Sequence, residues 1–247
     1  MDVLQLGIAF LLGMVATFMF VATGGVGLIT TPGLIFLGLP PQAAIATDLF
    51  AMLGGRLGGL VGFRKTNRLD LALGFRLSAI SAAEAVVGAH LLLAIDQEVM
   101  RRVLGVMLVV MLVFLVARPA VGTQQDGKLS TSRVVLGHAL FFFVGLWGTL
   151  IGAGVISLGS AVLLFIFKKE FLESAALLSL IGLAIGGAGM LIFGYNDAID
   201  WWVGVVLMAG KFLGGYAGSL AAVRVGNTWI RRLFILVVLV SAILLNL

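Results

Sequence analysis

Long apolar runs alternate with short polar breaks along the whole chain, at 3–23, 28–39, 42–63, 70–95, 101–118, 133–151, 155–167, 170–194, 200–224 and 228–246. Most of these runs reach the roughly 20 residues that a helix needs to cross about 30 Å of hydrocarbon. The pieces 28–39 and 155–167 are too short to span, and each follows a glycine-rich stretch. The first stretch reads Gly24-Gly25-Val26-Gly27-Leu28-Ile29-Thr30-Thr31-Pro32-Gly33, the second Gly152-Ala153-Gly154-Val155-Ile156-Ser157-Leu158-Gly159-Ser160. Each predicts a helix, a break and a helix restarted. In a bilayer such a break is tolerated only where protein buries it or where it lines a wet cavity, because lipid satisfies no freed N–H or C=O group.

The two stretches are copies. At an offset of 127, Gly25, Gly27 and Thr30 fall on Gly152, Gly154 and Ser157, and Gly55, Gly59 and Gly62 fall on Gly182, Gly186 and Gly189. At an offset of 130, Asp70, Gly74, Gly88, Arg101 and Arg102 fall on Asp200, Gly204, Gly218, Arg231 and Arg232. This predicts two transmembrane repeats, 1–118 and 133–247, joined by a cytoplasmic linker, 119–132. Lys and Arg gather at 64–69, 118–133, 168–169 and 224–232 and are absent from 194–200, which sets the first four inside and the last outside. Loop 96–102 dissents, being assigned outside despite Arg101 and Arg102. That assignment requires 133–167 to leave the cytoplasm and return. By repetition 3–39 does the same from the other face, so the repeats are inverted. The expected fold is all-α and polytopic, with about eight membrane helices, two Gly-broken re-entrant elements and an internal repeat.

Composition agrees. Of 247 residues, 61% are hydrophobic and 11% charged, with a mean hydropathy of +1.19, outside the range of soluble domains. The net charge of +5 would suit nucleic acid, but the basic residues sit in short loops where membrane orientation explains them, so no nucleic-acid partner is expected. The absence of cysteine removes disulfides, thiolate metal sites and Cys nucleophiles. No cofactor and no metal are expected. The first run lacks a basic leader and a cleavage site and reads as a membrane helix.

The restarted helix N-termini near Leu28 and Val155 present unpaired N–H groups and the positive dipole end, which suit a sulfite, sulfonate or carboxylate. Thr30, Thr31 and Ser157 add hydroxyls. The competing reading makes the glycines hairpin tips or packing positions only. Glycine runs 54–59 and 214–218 are read as packing surfaces. Asp48, Arg56, Arg76, Glu84 and Lys211 are ionisable residues within apolar runs, each costing about 2.5–3.5 kcal/mol near the bilayer centre unless paired or wetted. Thr47, Asp48 and Arg56 share the helix after the first break and complete the expected substrate set of Gly24, Gly25, Gly27, Thr30, Thr31, Gly152, Gly154 and Ser157. Asp48 and Glu84 are candidates for proton coupling, with a structural Glu84–Lys211 bridge as the alternative for Glu84. Arg76, near a helix end, is read as snorkelling. His90 and His138 are read as packing residues, and Trp201 and Trp202 as interfacial anchors.

The doubled Gly element, Gly24 through Pro32, followed by Ala46-Thr47-Asp48, resembles the sulfite exporter TauE/SafE family over nearly the whole chain. The second copy, Gly152-Ala153-Gly154, is plainer than the first, and Lys168-Lys169 stands where the first half has Pro40-Pro41. The resemblance implies a permease, not an enzyme, moving sulfite or organosulfonates across a prokaryotic inner membrane. Its expected partners are the anion and the lipid bilayer, with a homodimer left open. Two other classes stay in view. One is a channel for small anions, which would ignore a proton gradient; the other is an intramembrane hydrolase, for which the sequence lacks paired deep Asp residues or a Gly-x-Ser context.

Overall fold

A computed structural model of the chain describes residues 2–22, 26–64, 70–94, 130–151 and 155–245. Eight helices lie among them: α1 (Val3–Phe20), α2 (Val26–Phe36), α3 (Pro41–Phe63), α4 (Leu71–Ala94), α5 (Thr131–Ile151), α6 (Val155–Phe165), α7 (Phe171–Tyr195) and α8 (Trp201–Leu245). Among the described residues five stretches are long and apolar enough to cross a membrane: Val3–Phe20, Pro41–Phe63, Leu71–Ala94, Phe171–Tyr195 and Trp201–Gly226. The chain is thus an all-α, multi-pass membrane protein, with Phe75, Phe143, Leu191 and Trp202 on its outer surface, where lipid would meet them. The expected runs 200–224 and 228–246 belong to one helical element, α8, interrupted at Gly226, whose φ of 77° and ψ of 176° suit glycine and interrupt the helix. The segment 101–118, the loop 96–102, most of the linker 119–132 and the glycines Gly24, Gly25, Gly152 and Gly154 lie outside the described residues; Thr131 and Ser132 of the linker begin α5.

Glycine decides which helices touch. A methyl group on Gly54 or Gly58 of α3 would run into the carbonyl oxygens of Met208 and Phe212 on α8, so these two backbones are in direct contact and run parallel. On its other side α8 meets α1 in the same way, Gly210 against Phe10, Gly214 against Met14 and Gly218 against Phe18. Small residues permit this where lipid supplies no hydrophobic drive for association. Leu12 of α1 packs over Gly33 of α2, and Phe167 and Ile166 pack over Gly137 of α5, so each short helix lies beside the helix that precedes it.

The neighbours recur in matching sets. As α8 packs between α1 and α3, so α4 packs against α5 and α7; as α2 touches α3, so α6 touches α7; and α3 meets α7 at the centre. Asp70 caps α4 by accepting the Leu73 N–H at 3.0 Å, and Asp200 caps α8 by accepting the Val203 N–H at 3.1 Å. Contacts at the two ends fix directions. The Thr47 hydroxyl accepts the Asp200 N–H at 3.0 Å, and the Gln42 side chain reaches the Leu92 carbonyl, so the starts of α3 and α8 and the end of α4 share one end of the bundle. At the other end Lys169, between α6 and α7, binds Asp70 at 3.2 Å and Glu173 at 2.9 Å.

The Asp70–Lys169–Glu173 cluster ties the start of α4 to the segment preceding α7. The Leu73 N–H, assisted by Lys169 and Arg76 and opposed by partial burial, holds the Asp70 carboxyl below its usual range. Burial works against the Lys169 ammonium, but Glu173 and Asp70 outweigh it and raise its pKa. The Asp70 contribution is therefore present above its unfolded value, about pH 3.9, and is lost as pH falls through the lower folded value; the Lys169 contribution is present below about pH 10.4 and is lost as pH rises through the higher folded value. Because both groups are partly exposed, Asp70→Asn, which keeps the cap, should cost about 0.2–1 kcal/mol. Asp70→Ala should cost a further 0.5–2 kcal/mol or so. Thermal unfolding in detergent checks this, and the Asn variant should lose less stability than wild type on acidification from neutral pH.

Candidate functional site

Three buried charges gather around α3, an ion pair where the glycine contacts bring it against α8 and an arginine on its α7 side. Lys211 rises from α8 with its Cβ 3.5 Å from the Cβ position of Gly55, and its stem runs back toward the N-terminal side, as helical side chains do. Its ammonium donates to Asp48 Oδ1 at 2.7 Å and lies 3.5 Å from the Asp48 carbonyl. The side chains of this pair are 2% and 5% exposed, so it is dry. The Glu84–Lys211 bridge, the structural alternative for Glu84, does not form: Glu84 lies on α4 against Gly145 of α5, while the α3–α8 backbone contact delivers Lys211 to Asp48.

Arg56 stands two turns after Asp48 on the same helix. Its side chain lies across α7 at Gly182, where even a methyl group would collide with Nε, Cδ and Cγ. One guanidinium nitrogen reaches the Met52 sulfur at 3.7 Å, and Nε is buried with no hydrogen-bond partner among the described residues. Arg56 forms no ion pair among the described residues, while Asp48, the nearby acid, is taken by Lys211. The two cations are close enough for Arg56 to act on the Lys211 charge. The interior around α3 thus holds two buried cations and one carboxylate.

Of the polar side chains of the first helix pair, Thr17 reaches the α3–α8 contact. Thr17 of α1 packs against Gly55, and its buried hydroxyl has no partner among the described residues; nor has the buried Thr31 hydroxyl on α2. Thr30 differs, since its hydroxyl donates to the Val26 carbonyl at 3.0 Å within its own helix. Thr47 accepts the Asp200 N–H at the start of α8. Gly27 lies in the first turn of α2, and Ser157 in the first turn of α6. Of the expected site, therefore, Asp48 and Arg56 are brought together, Thr31 keeps a free hydroxyl, and Glu84 stands apart. Sequence reading missed Thr17, Gly182 and Lys211 as a partner of Asp48. Thr17 carried a signal, as a hydroxyl inside the apolar run seven residues before Gly24, and Gly182 carried one as the repeat counterpart of Gly55.

Apolar helices of spanning length around a buried cluster of charge, with two short helices among them, define a multi-pass membrane transporter. The chain belongs to the sulfite exporter TauE/SafE family, which it matches over residues 9–245. It is similar to a probable membrane transporter protein of Haemophilus influenzae, 28% identical over 232 residues that cover 94% of this chain and 90% of that protein. It is also similar to the probable membrane transporter protein YfcA of Escherichia coli K12, at 24% over 98% of this chain and 88% of that one. The probable membrane transporter protein ORF9 of a Sinorhizobium species is 27% identical over 96% of this chain and 91% of its own. No solved structure matches the chain.

The Asp48–Lys211 pair makes a stability prediction. Removing one partner strands a charge in a dry interior, so Asp48→Asn and Lys211→Met should each cost about 3–5 kcal/mol. The double variant should cost less than the sum, because neither charge is then left alone. Unfolding midpoints of the three variants in one detergent check this; additive losses would mean that the two groups are not coupled.

Proposed function

We propose that the protein is a secondary transporter of a small sulfur-containing anion, sulfite or an organosulfonate, acting as a permease without enzymatic chemistry. The observation that carries this reading is Arg56, a buried guanidinium with no acid of its own among the described residues, beside a cation–carboxylate pair that is already neutral. A buried charge needs a partner, and a monoanion would supply it. The planar fork of arginine matches the oxygens of a sulfonate or sulfite as it matches a carboxylate. The unpartnered hydroxyls of Thr17 and Thr31 supply neutral donors from α1 and α2.

The halves 1–118 and 133–247, joined by 119–132, form in this reading an inverted duplication. The pairs α1–α2 and α5–α6 then enter the bilayer from opposite faces, and the breaks before Val26 and Val155 turn two helix N-termini toward the anion. The matching neighbour sets and the twin caps at Asp70 and Asp200 support the duplication. Gly27 and its counterpart Gly154, with Gly24, Gly25, Gly152 and Ser157, belong to the breaks.

Counterflow of labelled sulfite, taurine and sulfoacetate in proteoliposomes tests the substrate. Arg56→Lys keeps the charge and loses the fork, whereas Arg56→Gln loses both. Each should weaken anion binding by about 10- to 100-fold, the scale of hydrogen bonds to a charged group, with Gln the more severe. Normal counterflow by correctly inserted Arg56→Gln would place the anion elsewhere. Gly27→Val should abolish the thermal shift produced by sulfite or a sulfonate in protein that still folds, because a branched side chain would hinder close approach to the α2 N–H groups.

A further inference from the structure

Glu84 is fully buried on α4, and the anion site does not use it. Its carboxyl fills the notch left by the missing side chain of Gly145 on α5, where a methyl group would overlap the carboxyl itself. Among the described residues neither oxygen accepts a well-formed hydrogen bond, and the polar groups that approach the carboxyl are neutral ones, the Ser81 hydroxyl one turn earlier and the Gly145 N–H. Thr149 of α5, which packs on Gly88 of α4, donates its hydroxyl to the Gly145 carbonyl at 3.1 Å.

The charged and titratable groups on the surrounding elements lie elsewhere. On α4, Arg76 acts on Asp70, and the His90 ring bonds the Val86 carbonyl. On α5 they are Arg133 and His138, with His138 seven residues before Gly145 and bonded to the Val134 carbonyl, about 10 Å along the helix at 1.5 Å per residue. On α7 they are Glu173 and Tyr195, at its two ends. Lys211 belongs to Asp48. No cation among the described residues therefore balances Glu84, and a carboxylate alone in an apolar helix crossing neutralises itself rather than staying ionised. A metal ion would need a fuller oxygen shell than two carboxyl oxygens and one hydroxyl. A proton needs a single oxygen.

We propose that Glu84 is a proton-binding site, separate from the anion site at Arg56, and that the proton it takes up and releases is the ion coupled to transport. Protonated, Glu84 fits the Gly145 notch and α5 stays docked on α4. Ionised, it must draw in water or part the two helices, and α5 leads directly into the second glycine break, seven residues beyond Gly145. The coupling role rests on the transporter reading; the presence of the proton does not.

Two measurements on the full-length protein in lipid test this. Infrared difference spectra of wild type should show the C=O stretch of a protonated carboxyl at neutral pH, shifted in D2O, lost on alkaline titration and missing from Glu84→Gln. No such band, or a band that never exchanges in D2O, overturns the proton site whatever the substrate proves to be. In proteoliposomes a pH gradient should drive labelled sulfite through wild type, while Glu84→Gln, correctly inserted, should lose that drive. Glu84→Asp should recover it with a displaced pH profile. Wild-type flux that follows a sodium gradient instead, or full pH-driven flux in Glu84→Gln, contradicts the coupling role. If wild type carries neither sulfite nor a sulfonate, the substrate reading falls, and the infrared titration still decides the proton site.

Discussion

The Asp48–Lys211 ion pair depends on glycine, and the rest of the interior depends on that pair. Gly54, Gly55 and Gly58 bring the α3 backbone against α8, and Gly210 and Gly214 bring α8 against α1, so a lysine and an aspartate far apart in sequence meet at 2.7 Å in a dry junction. Either charge alone would be costly there by several kcal/mol. Once they are paired, Arg56 is the charge left over. The functional reading follows from that inequality: two cations, one carboxylate, and a place for one more anion. A small-residue surface that looks like packing alone in sequence is therefore also what sets the charge of the site.

The apolar runs were legible because membrane helices announce themselves by length and composition. The short runs 28–39 and 155–167 correspond to α2 (Val26–Phe36) and α6 (Val155–Phe165), and 70–95 to α4 (Leu71–Ala94). Asp70 and Asp200, aligned by the repeat, both cap helices. The partner of Lys211 was not legible. Repeat logic pointed to Glu84, because Gly214, its repeat counterpart, lies one turn from Lys211, but charge pairing follows which helices touch and at what level. That is set by the direct backbone contact of α3 with α8, which glycine counts suggest and do not specify. The role of Thr30 was obscured for a related reason, since a threonine in a helix can return its hydroxyl to the carbonyl four residues back, and nothing in the sequence separates Thr30, which does, from Thr31, which does not.

The two halves of the bundle share neighbours and differ in chemistry. Where α8 meets α1, glycines on α8 touch backbone; where α4 meets α5, glycines face side chains, Gly88 of α4 against Thr149 and Gly145 of α5 against Glu84. The α3–α8 contact holds an ion pair, with Arg56 beside it on α3, and the α4–α5 contact holds the Glu84 carboxyl. Similar architecture with unlike charges is what the proposed division of labour rests on, an anion beside Arg56 and a proton on Glu84.

The central claim is that the two hairpins enter from opposite faces. The protein has no native cysteine, so single cysteines placed at Pro40, Thr66, Lys168 and Asn196 can be read without background. Labelling with an impermeant thiol reagent, applied first outside intact cells and then after permeabilisation, measures sidedness directly. Pro40 and Asn196 should react from outside, and Thr66 and Lys168 only after permeabilisation. Reaction of Pro40 and Asn196 from different sides, or of Thr66 and Asn196 from the same side, would contradict the opposed hairpins and the anion site built on them.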